Sequence, residues 1–89
     1  MIVKLFAVVD RISGVFDGPH KGINEGEFLR NFSDACTDPK SRISKHPEDF
    51  YVVELGSYND ANGDLIGVDG GARRIADAAD FVRNGELDA

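Results

Sequence analysis

The chain has 89 residues, which is one small domain with room for a single modest core. Its 42% hydrophobic and 29% charged content is that of a folded globule, and no apolar run approaches the ~18 residues of a membrane span, which reads against a disordered chain and against a membrane-crossing helix. Sixteen acidic against ten basic residues leave a net charge of −6, which argues against polyanion binding by the whole surface.

The charge is unevenly spread. Residues 1–46 carry seven bases and six acids, net +1, whereas residues 47–89 carry three bases and ten acids, net −7. Contact with nucleic acid is therefore expected of the first half and repulsion of the second. A lone cysteine, Cys36, leaves no intrachain disulfide and points to a reducing compartment such as the cytoplasm. The opening MIVKLFAVVD holds a lysine inside its apolar stretch, closes on an aspartate and lacks a small-residue cleavage site, so it reads as a strand and not as a signal sequence.

Residues 2–9 alternate with period two: Val3, Leu5, Ala7 and Val9 share one face, and Ile2, Lys4, Phe6 and Val8 the other. Arg11 to Gly14 supply a turn, and Val15-Phe16 begin a short second strand that Gly18-Pro19 is expected to stop. Asn24 followed by Glu27 has the pattern of a capping box, and Phe28, Leu29, Phe32, Ala35 and Cys36 form one stripe of a helix over 25–37, ended by Asp38-Pro39. Residues 38–49 read as a polar surface loop with at most one helical turn. Residues 50–58 form a third strand, with Tyr51, Val53 and Leu55 opposite Phe50, Val52 and Glu54. Asn62-Gly63 marks a hairpin into a short fourth strand at Leu65, Ile66 and Val68. Ile75, Ala78, Ala79 and Val82 have the spacing of a second helix over 72–83, closed by Asn84-Gly85, with 86–89 a frayed tail.

The order β-β-α-β-β-α predicts a single α+β domain over 1–85: an antiparallel four-stranded sheet of two hairpins with one main helix packed on it. Strands one and three each have one fully apolar face for that helix. Their other faces are apolar as well, through Ile2, Phe6, Val8, Phe50 and Val52, which a half-solvated sheet does not need. Three covers are open: the alanine-rich C-terminal helix, a twin subunit in a homodimer using those five residues, or nucleobases stacked on Phe6 and Phe50.

The chemistry-bearing motifs are few. Asp60-x-Asn62-x-Asp64 opens like a calcium loop, but Leu65 stands where the glycine belongs and Gly71 where the last acid belongs, so a hairpin turn is the reading and no metal is expected. Gly67, Gly70 and Gly71 before Arg73-Arg74 have the materials of a phosphate site at a helix start, yet fit neither the dinucleotide fingerprint nor a P-loop. His20 and His46 sit beside prolines in polar segments and Cys36 on an apolar stripe, so no nucleophile–base pair is indicated and neither enzyme activity nor a cofactor is expected. Lys40, Arg42 and Lys45 are the densest bases. With Lys21, and with Phe50 or Tyr51 near enough to stack, they form a candidate nucleic-acid site.

A more specific pattern runs through the middle of the chain. Phe32-Ser33-Asp34-Ala35 is followed by Asp38-Pro39, then by His46-Pro47-Glu48-Asp49 with an aromatic at Phe50, a strand ending in Leu55-Gly56, and Asp60-Ala61-x-Gly63. Over residues 2–68 this resembles the small non-structural protein of gokushoviruses, the single-stranded DNA phages of the Microviridae. The resemblance implies a protein made in the infected bacterial cytoplasm and absent from the virion. It also implies service to the viral DNA cycle, at the switch from duplex replication to single-strand synthesis and packaging. Single-stranded DNA and a second copy of the chain are the expected partners, with no membrane. The alternative is an adaptor or DNA mimic whose acidic half, from Asp60 to Asp88, docks on a viral replication protein or a host factor. His46-Pro47-Glu48-Asp49 also has a structural reading, as a cap at the start of strand three through a side-chain turn at Asp49.

Overall fold

The computed structural model describes residues 1–82. Strand β1 (Ile2–Asp10) pairs antiparallel with β2 (Phe16–Gly22) on one edge and with β3 (Phe50–Asn59) on the other. Helix α1 (Glu25–Thr37), the single turn α2 (Arg42–Lys45) and a 3-10 turn (Pro47–Asp49) connect β2 to β3. The far edge of β3 is shared: β4 (Leu65–Gly67) pairs with Gly56–Tyr58, and β5 (Arg73–Asp77) with Tyr51–Glu54. The fold is α+β with a wholly antiparallel sheet, as the sequence predicts.

Helix α1 forms where its signals place it. Asn24 Oδ1 accepts from the Glu27 N–H at 2.8 Å, and Glu27 Oε1 reaches back to the Ile23 N–H at 3.2 Å, which satisfies two backbone donors at the helix start. Phe28, Phe32 and Cys36, four residues apart, are its buried positions. The 38–49 segment is ordered by local side-chain bonds: Asp38 Oδ1 accepts from the Lys40 N–H, and Ser41 Oγ from the Ile43 N–H. These turns aim Ile43 at the core. Asp49 closes β3 through its backbone instead of a side-chain turn, its carbonyl accepting from the Arg11 N–H at 2.8 Å.

Three expectations are corrected. Strand β2 runs through Gly18-Pro19, joined by a cis peptide, because β2 is an edge strand and a proline there interrupts no inner ladder. Residues 73–77 are strand, making five strands among the described residues, and helix begins only at residue 78. Gly70 and Gly71, at φ 83° and 98°, turn the chain back so that β5 pairs the backbone of Tyr51–Glu54, which β4 is too short to reach. The expected helix end at Asn84-Gly85 and the tail 86–89 lie outside the described residues.

The third correction concerns the faces. Helix α1 covers the face of Phe6, Phe50 and Val52, not the face of Val3, Leu5, Ala7 and Val9. Phe6 and Val52 are each 0% exposed, and the Phe6 ring stacks on Phe28 at 4.5 Å. Ile43 of α2 and Ala78, Phe81 and Val82 from the 78–82 helical residues join the same cluster. Of the residues expected at a dimer interface, Ile2, Phe6, Val8, Phe50 and Val52, most are taken up within the chain itself. Four of them pack into the chain's own core and Ile2 stands 66% exposed at its margin. The second cluster, Ala7, Val9 and Val53 with Tyr51 and Leu55 around them, contains strand residues alone. Among the described residues no helix packs on that side.

This assignment separates two variants. Phe6→Ala removes a fully buried ring and is expected to cost about 3–5 kcal/mol, enough to unfold much of so small a domain. Ile2→Ala should stay within about 0.5 kcal/mol. Urea titration followed by circular dichroism distinguishes them; were Phe6 an interface residue, its loss would change association and leave the monomer's stability alone.

Candidate nucleic-acid interface

Strand alternation splits the residues that sequence reasoning grouped. Phe50 lies in the core beneath α1, so it is no stacking platform, and the Arg42 guanidinium lies 5.9 Å from its ring centre. Lys40, Arg42 and Lys45 are exposed on the helical side of the sheet, where Arg42 also pairs with Asp10 at 3.6 Å. Beside them a cleft of about 540 Å³ opens between α2 and the β1–β2 hairpin, floored by Val8 and Phe50. Its walls include Asp10 and Asp17, which oppose a phosphate backbone.

Tyr51 projects from the opposite, helix-free face. Two guanidiniums lie against its ring, Arg11 and Arg74, each 4.8 Å from the centroid. Both also donate to Asp77: Arg11 Nη2 reaches Oδ1 at 3.0 Å, and Arg74 Nη2 reaches the same oxygen. A further Arg11 nitrogen, Nη1, donates to the Glu48 carbonyl, which holds this side chain from the 3-10 turn. The strand register brings the group together. Asp77 sits opposite Tyr51 and Arg74 opposite Val53, while Arg11 follows directly on β1. Lys21, opposite Leu5 on β2, lies apart from this group and lines a groove with His20, Phe28 and Asn31.

The neighbouring arginine goes the other way. Arg73 Nη2 bonds Glu54 Oε1 at 2.6 Å and Glu25 Oε1 at 3.0 Å, so it ties β5 to the start of α1. Lys4 adds a contact to Glu54 at 3.6 Å. The hydrogen bonds that Arg73 donates hold the Glu54 carboxyl below its ordinary value, and the same bonds, with that to Glu25, raise Arg73. At Asp77 burial pushes upward, but hydrogen bonds from Arg74 and Arg11 outweigh it and leave the carboxyl lowered. Burial raises the Cys36 thiol to about 11, which keeps it protonated and unreactive at neutral pH. No group of three or more His, Cys, Asp and Glu converges as metal ligands among the described residues.

Sequence reasoning named Tyr51 but missed Arg11, read as part of a turn, and Arg74, read at a helix start. The available signal was the strand pattern of Arg73 to Asp77, in which residues side by side in sequence face apart.

Among the described residues, a small antiparallel sheet carries helices on one side and an arginine-flanked aromatic on the other, which defines an α+β domain. Residues 3–81 match the family described as Phage ORF5 protein, and the chain belongs to that family of phage proteins. Comparison with curated proteins and with solved structures found no match.

The two carboxylates give stability a pH dependence of definite sign. Glu54 and Asp77 both have folded values below their ordinary ones. Their contribution is therefore complete above the ordinary carboxylate range, near pH ~4, and is lost as pH falls through the folded values. The urea midpoint should drop between pH 6 and pH 3, and Glu54→Gln should flatten that decline while lowering the midpoint at pH 6.

Proposed function

We propose that this phage ORF5-family protein is a non-catalytic, single-stranded DNA-binding protein of the viral DNA cycle. It acts in the host bacterial cytoplasm at the switch from duplex replication to single-strand synthesis and packaging. Support for the viral setting comes from the family match over 3–81 and from the gokushovirus resemblance of residues 2–68. The observation that carries the binding mode is Tyr51, with two guanidiniums at 4.8 Å, on a sheet face that receives no helical residue among those described.

A base stacks on an aromatic ring or a guanidinium plane whatever its identity, and a nearby cation takes the adjoining phosphate. Arg11 and Arg74 supply those cations beside Tyr51. The loop bases Lys40, Arg42 and Lys45 lie across the sheet from Tyr51, and Arg42 shares its cleft with Asp10 and Asp17, so they form a poorer path for a strand. With few phosphates neutralised and a net charge of −6, binding is weak and falls with salt.

Fluorescence anisotropy with a labelled fifteen-residue oligothymidylate tests this at low and moderate salt. Tyr51→Ala is expected to weaken binding about tenfold, in line with the loss of one stacking platform. Replacing Lys40, Arg42 and Lys45 together by alanine is expected to change it less than about threefold. The reverse ranking would move the site to the loop. Sedimentation of the same samples supplies the rival result: a dimer that dissociates on Tyr51→Ala and ignores the oligonucleotide would give this face to a second copy of the chain.

A further inference from the structure

Two guanidiniums on the open face converge on a single atom. Arg11 and Arg74 come from different strands, yet both donate an Nη2 hydrogen to Oδ1 of Asp77. Each has an independent hold. Arg11 is fixed by the Glu48 carbonyl, and the Arg74 guanidinium rests on the Tyr51 ring. Their shared target is therefore a preformed anion position, and the group now filling it is the chain's own carboxylate. Two cations face one anion there, so the cluster keeps a surplus positive charge. The Tyr51 ring lies against both arginines, each 4.8 Å from its centroid, so an aromatic platform adjoins the fork.

We infer that the Arg11–Arg74 fork is a phosphodiester socket, and that Asp77 is its resident stand-in, displaced when a single strand stacks on Tyr51. The inference rests on the reading of this face as a DNA surface and adds the residue that limits its affinity. A non-bridging phosphate oxygen takes the place of Oδ1 and receives both charge-assisted hydrogen bonds. The Asp77 carboxylate then faces solvent with no new bond formed, so each binding event works against two existing ion pairs. Asp77 is thus a competitor within the site.

The experiment compares the unmodified chain with Asp77→Asn, again with a fifteen-residue oligothymidylate. Asp77→Asn is expected to tighten binding about tenfold, because the phosphate no longer has to displace a carboxylate from the fork. Asp64→Asn in the β3–β4 turn removes the same charge elsewhere, and should change affinity less than about twofold. Adding Arg74→Gln to Asp77→Asn should abolish the gain. Equal gains from Asp64→Asn and Asp77→Asn, or no gain from either while Tyr51→Ala still weakens binding, would overturn the socket and leave the DNA surface standing. Absence of binding by both the unmodified chain and Asp77→Asn would overturn both. Should Asp77→Asn fail to fold, the unmodified chain carries the test by NMR: the Nε–H resonances of Arg11 and Arg74 must both shift on adding the oligonucleotide, and resonances that stay in place overturn the socket.

Discussion

The stack of Phe28 on Phe6 decides what the rest of the molecule can do. The sheet has two apolar faces and one substantial helix, so whichever face the helix takes becomes core and the other becomes surface. Helix α1 takes the face with the larger rings. Phe6 and Phe50 stand too far above the sheet to be sheltered by strand neighbours, whereas Ala7, Val9 and Val53 are short enough for Tyr51 and Leu55 to screen them. Gly22 permits the approach: a Cβ at that position would lie 3.0 Å from Phe6 Cε2 and 3.3 Å from the Phe28 Cβ. The stack forms at the point where β2 hands over to α1, with only Ile23 and Asn24 between them.

How far this was readable from sequence differs by element. Helix 25–37 was legible because a cap, a stripe of apolar residues at helical spacing and a terminating proline agree. The pairing of β1 with β3 was legible because both alternate. The choice of face was not, since alternation reports that two faces exist and says nothing about which has the taller side chains. Residues 73–82 misled for a different reason. Ile75, Ala78, Ala79 and Val82 repeat at helical spacing, yet the first belongs to a strand and the others to a helical segment, and all except Ala79 reach the same core from two different elements. What overrides the local pattern is the unpaired edge of β3 at Tyr51–Glu54, whose backbone groups need partners that only this stretch can bring.

The candidate site follows from the same parity. Phe50-Tyr51 and Arg73-Arg74 are pairs of like residues adjacent in sequence, and in each pair the strand sends one side chain to the helical side and one to the open side. Phe50 becomes core and Arg73 a clamp between Glu54 and the start of α1. Tyr51 and Arg74 are left on the open face together. A grouping by closeness in sequence merges residues of opposite role here, while a grouping by every second residue separates them. Arg11 joins by a third route, from the turn that follows β1, and nothing local in its sequence marks it.

On the proposed function, a net charge of −6 is no obstacle to binding DNA at one face. Long-range attraction scales with total charge and is screened within about 8–10 Å at ordinary salt, so the ten acids after residue 46 mainly suppress indiscriminate adhesion to nucleic acid. Stacking and charge-assisted hydrogen bonds act at contact distance and depend on the few groups that touch the strand. On the proposed reading, Tyr51 and its two arginines supply the contact terms, and the surrounding acids keep binding confined to strands whose bases are free to stack. Duplex DNA offers phosphates but no open base faces, so the acidic surround repels it with nothing at Tyr51 to compensate. On that reading, one aromatic platform in a negative background favours single strands by penalising modes of binding that rely on phosphates alone.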